Sequence, residues 1–515
     1  MKQQIEIIVP PEKIHEEGFL RYIVSRRLGV TPSDISKIVP IRRSMDARRD
    51  PIYRILADVY IGEAPPEDRP AYVYNPVNKK KKVIVVGFGS AGMFAALHLI
   101  ELGIMPIVLE RGKDVQKRRW DLRSLMREQI VNPDSNYCFG EGGAGTYSDG
   151  KLYTRAVKRG NVSKILEVFV QHGAHPDITV DTHPHIGSNK LPKIIEAIRN
   201  TVLNAGGEIH YGSRVTDFII KNKKAIGVLV NSKQELLADA VILATGHSAR
   251  DIYYLLQKKK IKIEAKPLAM GVRIEHPQPL INEIQYHMKI KPESLPAATY
   301  NLSTNIDGAG VYSFCMCPGG IIVPAMTAPD EIVVNGMSMS RRDSPYANSG
   351  LVVEIKENEW DNNEVPEFRA LKLQQEIEQL AFRLAGSSLS APAQRANDFV
   401  EGKFSQTLPK TSYIPGITSS RLDEELPPFI VKKLKKALKE FSRRMRGYLS
   451  DEAVLVGVES RTSSPIRVPR DKESFMHVEV NGLFPCGEGA GYAGGIVSSA
   501  IDGENCADAV SKFLK

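Results

Sequence analysis

Hydrophobic and polar positions alternate in a strand-and-helix pattern over the first part of the chain. The pattern predicts three strands, at 4–9, 34–41 and 53–61, and one helix, at 19–28. Gly29, directly after the helical stretch, is a typical helix end. Residues 1–76 are therefore predicted to form a small α/β domain with a ferredoxin-like arrangement. A proline-rich linker is expected near its end, at Pro65, Pro66 and Pro70.

A strand–helix–strand unit begins at residue 83. Four apolar residues at 83–86 predict a buried strand, a helix follows over 91–102, and a second strand is expected at 106–109. The same alternation continues with a helix at 188–206, several short strands within 208–237 and a further buried strand at 239–244. Strands alternating with helices predict an α/β fold with a parallel sheet.

The remainder divides into two parts. Residues 265–455 mix strands with long amphipathic helices, such as 367–384 and 429–449, and contain no second glycine-rich loop after a strand. They are predicted to form an inserted substrate-side domain. Residues 456–515 return to strand, glycine loop and helix, and are predicted to complete the α/β domain of residues 82–264.

Composition narrows the classes of protein. The chain has 515 residues and 42% hydrophobic residues, as in ordinary globular proteins. No apolar run approaches the roughly 18 residues of a membrane span, and the N-terminus lacks a signal-peptide core, so we expect no membrane partner and a cytoplasmic location. Five cysteines do not indicate a disulfide framework. A net charge of +9 over this length does not by itself indicate nucleic acid.

The loop after the first buried strand carries the first chemical motif. Gly87, Gly89 and Gly92 have the G-x-G-x-x-G spacing, with Ser90 and Ala91 between them. The glycines allow a tight turn, a close approach of the backbone to a pyrophosphate, and close helix packing. Glu110 ends the next strand, 23 positions after Gly87, where an acid binds the ribose hydroxyls. The context predicts a Rossmann-like dinucleotide site, with Arg111 beside it.

Two later segments favour FAD over NAD. Residues 241–246 end in Ala244, Thr245 and Gly246 and resemble the strand signature of flavoproteins with two dinucleotide folds. Residues 483–491 resemble a C-terminal flavin motif, and by that resemblance Gly487 and Glu488 contact the ribityl chain. A helix starting near Gly495 and Ile496 would direct its positive end at the flavin ring. Each segment alone could be ordinary α/β packing, but together with the glycine loop they predict FAD.

Further stretches carry a resemblance to one family. They include 140–146, 183–187, 271–276, 315–320 and 461–467, with the N-terminal stretch 42–48. In these the chain resembles the FAD-dependent dehydrogenases also called NAD(FAD)-utilising dehydrogenases. The resemblance extends along the whole chain and implies one FAD-binding fold with an inserted substrate domain. It implies no particular substrate, because that family has none established.

Several residues are candidate cofactor contacts on weaker grounds. The glycine cluster at 140–150 would let the backbone approach the flavin or pyrophosphate, and Lys151 could offset phosphate charge. A flexible surface loop is the alternative. The candidates in this group are Gly143, Gly145, Thr146, Lys151 and Val215.

Candidate catalytic residues are few. Arg273, Arg461 and Arg467 could bind an anionic substrate or reduced flavin, although arginines more often form structural ion pairs. His185, close to His183, is a candidate proton donor. Cys317, paired with Cys315, could relay electrons, but a C-x-C pair in an extended segment lies near the upper distance for a disulfide, and we favour packing. No metal site is expected.

Three functions are consistent with these features. The first is an FAD-dependent oxidoreductase acting on a small-molecule substrate, with NAD(P)H binding only transiently as a donor. The second is an RNA-modifying flavoprotein that uses the arginines of the N-terminal domain, whose interleaved acids alternatively predict a salt-bridged face. The third is a protein in which FAD has a structural or sensing role.

Overall fold

A computed structural model describes residues 1–64, 71–356, 359 and 364–515, with the side chain of Lys79 left aside. The predicted linker prolines Pro65, Pro66 and Pro70 lie outside the described residues. The chain is a mixed α/β protein built around one parallel sheet and one larger sheet. No helix in the described ranges is both long enough and apolar enough to cross a membrane.

The N-terminal unit is a three-stranded antiparallel sheet with one α-helix against it. Its elements are β1 (Lys2–Val9), α1 (Glu17–Leu28), β2 (Ile35–Asp46) and β3 (Ile52–Ile61), with sheet order β1-β3-β2. The helix ends at Gly29 in the left-handed conformation, as the sequence predicts. A ferredoxin-like unit has the order β-α-β-β-α-β, which is one helix and one strand more than the described residues of this unit contain.

The parallel sheet begins after this unit. Its segment contains β4 (Asn78–Val86), α2 (Ser90–Glu101), β5 (Ile104–Leu109), α3 (Val115–Arg127), α4 (Val162–Gln171), α5 (Leu191–Asn204), β6 (Glu208–His210), β7 (Val215–Lys221), β8 (Lys224–Val230), β9 (Gln234–Leu237), β10 (Ala240–Leu243) and α6 (Arg250–Lys258). The strands β7, β8 and β9 form a separate antiparallel sheet. The lysine-rich residues 80–82 before the buried part of the strand belong to β4.

The next segment builds the larger sheet. It contains β11 (Glu264–Ala265), β12 (Leu268–Pro277), α7 (Gln278–Tyr286), β13 (Ser303–Ile306), β14 (Ala309–Cys317), β15 (Gly320–Pro324), β16 (Val334–Ser338), β17 (Tyr346–Ile355), α8 (Pro366–Leu384), β18 (Ala391–Arg395), α9 (Ala396–Glu401), β19 (Ile417–Ser419), α10 (Leu422–Glu425), α11 (Pro428–Arg444) and β20 (Val454–Glu459). The order of its seven strands is β13-β14-β17-β12-β20-β18-β19. The strand β20 crosses the predicted boundary at residue 455.

The chain continues with β21 (Ile466–Arg467), which pairs with β11, and then returns to the parallel sheet with β22 (Leu483–Pro485) and α12 (Ile496–Phe513). The parallel sheet has the order β22-β10-β4-β5-β6. Helices α2, α4, α5 and α12 share a hydrophobic core on one face, and α6 with the sheet of β7–β9 covers the other. Because both faces are covered, β5 and β10 are apolar and buried along their whole length.

One predicted helix ends earlier than expected. The apolar spacing predicted a helix to residue 449, but α11 ends at Arg444. Met445 leaves the helical conformation with φ −131° and ψ 83°, and Gly447 has φ +96°. A positive φ at this glycine turns the chain, so the apolar residues beyond it pack without continuing the helix.

Candidate functional site

A cavity of about 250 Å³ lies at the carboxyl ends of the parallel strands. Its walls come from the loops after β5, β4, β10 and β22, which are four neighbouring strands of the sheet. With a strand spacing of about 4.8 Å, these loops span about 14 Å. Ligands of open α/β sheets bind at this edge, where the chain leaves consecutive strands in different directions.

The glycine loop after β4 forms the centre of the cavity. Gly87 has φ +97°, and a Cβ there would lie 2.5 Å from the carbonyl oxygen of Ala244. A Cβ on Gly92 would lie 1.9 Å from the carbonyl oxygen of Gly87, so this glycine permits the helix to pack on the loop. Gly89 precedes the first residue of α2 and no side chain caps that helix. The first N–H groups of α2 are therefore available to an anion in the cavity.

A second glycine loop lies against the first. The N–H of Gly142 donates to the carbonyl oxygen of Phe88 at 2.8 Å, and a Cβ on Gly143 would lie 3.0 Å from the Cα of Gly89. The hydroxyl of Thr146 donates to the carbonyl oxygen of Glu141 at 2.7 Å. Thr146 thus holds this loop from inside and does not line the cavity, whereas Gly143 and Gly145 do.

Glu110 lies after β5 with its carboxylate accepting backbone hydrogen bonds. The N–H groups of Phe88, Gly112 and Gly140 donate to it, each at 2.9 Å. The acid therefore ties both glycine loops together at the cavity wall. Arg111, beside it, places its guanidinium 4.3 Å from the ring centre of Phe139, and both line the cavity.

The helix α12 opens onto the other end of the cavity. A Cβ on Gly503 would lie 2.2 Å from the carbonyl oxygen of Ala91, so this glycine lets α12 pack directly on the start of α2. Gly495 precedes α12 without a side-chain cap, and both Gly495 and Ile496 line the cavity. The positive end of a second helix dipole is therefore directed at the same space.

Two titratable groups face each other at this end. The Nε2 of His247 lies 3.9 Å from the Oε1 of Glu488, and both side chains line the cavity. Burial raises the pKa of Glu488 to about 7, and nearby Lys266 opposes that rise. Burial, with Arg461 and Arg250, lowers the pKa of His247 to about 4. The imidazole is therefore neutral at pH 7, and the carboxyl is poised between its two forms.

These features fit FAD. Most of the predicted cofactor contacts line the one cavity: Gly87, Gly89, Ser90, Ala91, Glu110, Arg111, Gly143, Gly145, Val215, Ala244, Thr245, Gly246, Glu488, Gly495 and Ile496. The Nδ1 of His247 is buried on the cavity wall and has no partner within the described residues. Uncapped helix N-termini suit the diphosphate and the electron-rich ring, and the glycine loops leave room for both.

Two other predicted contacts serve the packing behind the wall. Gly92 and Gly487 do not line the cavity. The N–H of Gly487 donates to Asp502 at 2.7 Å, and a Cβ there would lie 2.8 Å from the side chain of Ala91. Both glycines therefore bring backbone segments together around the site.

Lys151, predicted as a cofactor contact, lies among sulfur atoms. Its Nζ lies 3.8 Å from the Sγ atoms of both Cys315 and Cys317, and 3.2 Å from Asp149. The fully buried Arg273 reaches the same group, with Nη2 at 3.6 Å from the Sγ of Cys317. Both cysteines lie in β14, but Cys315 has φ +46° at an irregularity of that strand. The structure thus gathers Lys151, Arg273 and the two thiols into one cluster.

His185 lies at the edge of that cluster. It pairs with Lys151 in an isolated antiparallel bridge, and its Nε2 lies 3.3 Å from the carbonyl oxygen of Ser340. Burial and the nearby Arg342 lower its pKa. A neutral imidazole with a backbone partner is a structural arrangement, and the side chain does not line the FAD cavity.

Arg461 belongs to a buried network of ion pairs. It contacts Glu331 and Glu378, each at 2.8 Å, and Arg250 contacts the same two acids at 2.7 Å. All four side chains are buried. The network joins α6, α8 and the segment after β20, so Arg461 has the structural ion-pair role named above as the alternative. Arg467 stacks over Tyr492 at 5.9 Å instead.

Two groups of potential metal ligands contain a cationic side chain. Asp502, near Cys486 and Cys506, pairs with Arg470 at 2.6 Å. His98, Glu101 and Glu504 form the other group, in which Lys164 contacts Glu101 at 2.7 Å and Glu504 at 2.9 Å. These are ion-pair networks, because the cation already neutralises the carboxylates.

The sequence did not reveal some residues of the site. Ser213, Arg214, Phe139 and His247 line the cavity without belonging to any motif. Arg118 is fully buried and donates to the carbonyl oxygens of Asn136, Tyr137 and Glu141, which holds the second glycine loop in place. Only the position of His247 directly after the Ala-Thr-Gly signature could have indicated a role.

Several arginines of the N-terminal unit, which the RNA hypothesis would use to contact RNA, form ion pairs within the protein. Arg48 contacts Asp46 at 2.6 Å, and Arg21 contacts Glu17 at 3.0 Å. Arg43 contacts Asp177 at 2.7 Å and Asp181 at 2.6 Å, which belong to the segment between α4 and α5. These pairs favour the salt-bridged face over an RNA-binding surface.

Solved flavoprotein structures resemble the chain only distantly. Glycine oxidase from Bacillus cereus is 12% identical over 85% of this chain and 96% of its own, with a TM-score of 0.31. CtdE in complex with FAD is 12% identical over 85% and 88%, with a TM-score of 0.31. The brominase Bmp2 is 11% identical over 84% and 80%, with a TM-score of 0.36. Scores of this size support no conclusion about the reaction.

Sequence relatives are more informative. A protein from Clostridium beijerinckii, described as uncharacterised, is 37% identical over 512 residues, and the match covers 95% of this chain and 95% of that protein. Residues 267–462 match the family model "FAD-dependent protein, C-terminal domain-like", and residues 1–60 match a domain of unknown function (DUF8436). FAD is therefore the cofactor that both the family model and the cavity indicate. The chain belongs to the same family as the Clostridium beijerinckii protein, a family of FAD-dependent proteins.

Proposed function

We propose that the protein is an FAD-dependent oxidoreductase acting on a small-molecule substrate. The observation that carries this proposal is the uncapped N-terminus of α12 at the end of the cavity opposite the ribose acid. A helix N-terminus stabilises negative charge beside it, and the reduced flavin ring is anionic where the oxidised ring is neutral. A purely structural FAD would gain nothing from this placement.

The residues of the chain have distinct tasks in this proposal. The N-terminus of α2 and the two glycine loops bind the diphosphate, and Glu110 orients the loops and the ribose. Glu488 binds the ribityl hydroxyls, and its pKa of about 7 lets it hold or release a proton near neutral pH. FAD itself supplies the transfer of two electrons when bound.

The electron donor is part of the same proposal. The G-x-G-x-x-G loop between β4 and α2 belongs to the FAD site, and residues 265–455 contain no second glycine-rich loop after a strand. NAD(P)H would therefore bind transiently, on the flavin side of the FAD cavity. The substrate would occupy that side in the other half of the reaction.

An absorbance spectrum and an anaerobic reduction test the proposal. Purified protein should show flavin bands that dithionite bleaches, and either NADH or NADPH should bleach them in a separate sample. Reduction by one nicotinamide and not the other would identify the donor. Protein that contains no flavin, or whose flavin stays oxidised under dithionite, would contradict an oxidoreductase; the second result would favour a structural role.

A further inference from the structure

A cluster of reactive side chains lies beside the FAD cavity, outside its wall. At its centre are the thiols of Cys315 and Cys317, both 3.8 Å from the Nζ of Lys151. One ammonium group thus contacts both thiols. None of the cofactor contacts described above uses them.

The backbone is irregular where it carries the two cysteines. The pairing of β14 with β17 shifts its register between Phe314 and Cys317, and Cys315 within this bulge has φ +46°. A non-glycine residue in this region is unfavourable and is retained where the surrounding structure requires it. The thiol of Cys317 also turns back to the carbonyl oxygen of Cys315, at 3.4 Å. The irregular backbone thus places both cysteines against Lys151.

The electrostatic surroundings favour a thiolate at Cys315. A hydrogen bond from Cys317, with the charges of Lys151 and Arg273, lowers the pKa of Cys315 well below its ordinary value. The same hydrogen bond and burial raise the pKa of Cys317. These opposite directions favour negative charge on Cys315 and the proton on Cys317. Such a pair of unequal thiols is the arrangement that thiol–disulfide chemistry requires.

The two thiols also differ in access. Cys315 is exposed and Cys317 is fully buried. Burial raises the pKa of Glu488, and the charge on Cys315 adds to that rise. The cluster also adjoins the cavity along the chain, because Ser148, three residues before Lys151, lines the cavity wall. The accessible thiolate of Cys315 can react with a partner, and the buried thiol of Cys317 can then resolve the product.

We propose that Cys315 and Cys317 form a redox-active dithiol that exchanges two electrons with the FAD of the neighbouring cavity. This inference rests on the proposed oxidoreductase function. In the reducing direction the S–S bond breaks, reduced FAD would supply two electrons and one proton, Cys315 leaves as the thiolate beside Lys151, and Cys317 takes the proton. In the other direction the two sulfurs bond, and the two electrons and the proton of Cys317 would pass to FAD.

This assignment differs from the packing role that the sequence favoured. Thiols that only fill space have apolar neighbours, which raise their pKa values. Here the neighbours are Lys151, held by Asp149 at 3.2 Å, and Arg273, held by Glu459 at 2.8 Å. The two sulfurs therefore lie among charged groups and not among apolar side chains.

The bond itself is tested without reference to the flavin. Air-oxidised protein is acid-quenched, alkylated and digested, and the mass of the peptide that carries both cysteines is measured by mass spectrometry. The expected peptide is unalkylated and two hydrogens lighter than the dithiol, and after reduction it takes two alkyl groups. Finding two free thiols in air-oxidised protein would overturn the proposal, because a redox dithiol beside a flavin should oxidise.

Electron uptake tests the exchange with FAD. In anaerobic titration, wild-type protein should take up four electrons per flavin, two for FAD and two for the disulfide. Cys315→Ser and Cys317→Ser should each take up two, whereas Cys506→Ala, which removes a thiol elsewhere, should take up four. Bleaching of the flavin with only two electrons in wild type would overturn the dithiol and leave the oxidoreductase proposal standing; no bleaching would contradict the latter.

Lys151→Met tests the role of the ammonium group. The variant should alkylate Cys315 about tenfold more slowly at pH 6 than wild type, which corresponds to a rise of about one unit in its pKa. Lys193→Met, on the exposed face of α5, is the matched control and should leave the rate unchanged. Equal rates in wild type and Lys151→Met would show that Lys151 does not stabilise the thiolate.

Discussion

Gly503 in α12 lies directly against the carbonyl oxygen of Ala91 in α2, where a Cβ would stand 2.2 Å away. This contact sets the position of α12 relative to the glycine loop. It thereby brings the N-terminus of α12 to the cavity that α2 already faces.

Gly503→Ala should therefore weaken FAD binding. The added methyl group forces the two helices apart, and overpacking of this kind costs about 1–3 kcal/mol. FAD affinity, measured by quenching of flavin fluorescence on titration into flavin-free protein, should fall. Gly18→Ala is the matched control, because a Cβ there meets nothing within 4 Å. Unchanged affinity in Gly503→Ala would mean that α12 does not set the site.

Glu488→Gln should stabilise the flavin-free protein at high pH. Burial raises the pKa of this acid from 4.5 to about 7, so the folded state prefers the protonated form. Its contribution to stability is present below pH 4.5 and is lost as the pH rises towards 7. The amide cannot ionise. The free energy of unfolding of the variant should therefore exceed that of wild type by on the order of 1–3 kcal/mol at pH 8 and by little at pH 4.5.

Guanidinium unfolding at the two pH values measures this difference. Glu235→Gln, at an exposed position in β9, provides the control and should show no pH-dependent gain. A gain of equal size at both pH values would point to packing instead of ionisation.

Arg461→Ala should destabilise the fold strongly. The change leaves Glu331 and Glu378 with Arg250 alone as a buried partner, and breaking a buried pair costs about 3–5 kcal/mol. Chemical denaturation followed by circular dichroism measures the loss. The exposed Arg341→Ala serves as control. A stable variant that binds FAD but lacks activity would instead assign Arg461 to the reaction.

Arg43→Met should loosen the contact between β2 and the segment after α4. The guanidinium holds Asp177 and Asp181, and charge-assisted hydrogen bonds of this kind contribute about 1.5–3 kcal/mol each when lost. Hydrogen exchange of the backbone around residues 177–182 should accelerate in the variant. Arg26→Met, on α1 and away from these acids, should leave the exchange unchanged. Protection that persists in Arg43→Met would show that backbone pairing alone holds this contact.

The local sequence pattern was sufficient to predict most of the secondary-structure elements and the cofactor. A few neighbouring residues are enough to predict each part of the site: the glycine loop, the acid after β5 and the segments after β10 and β22. This is so because a tight turn and a helix start restrict which residues fit. Their common cavity follows from the rule that parallel strands end at one edge. The end of α11 could not be read in this way, because Met445 and Gly447 interrupt a pattern that stays apolar.

Long-range contacts decided the remainder of the site. Lys151 carries a charge suited to phosphate, yet the fold places it against two thiols that lie more than 160 positions later. Arg461 resembles a substrate ligand in the sequence, and only the approach of α8 gives it two buried acids. A side chain's role depends on which groups share its surroundings, and spacing along the chain does not contain that information.

The sequence by itself thus determined the α/β fold, the glycine loops and FAD, since each depends on backbone geometry that a few neighbouring residues impose. Only the tertiary structure decided that Gly503 directs α12 to the cavity and that Cys315, Cys317, Lys151 and Arg273 form one cluster. Packing between distant segments creates those contacts, and burial then sets the charges within them.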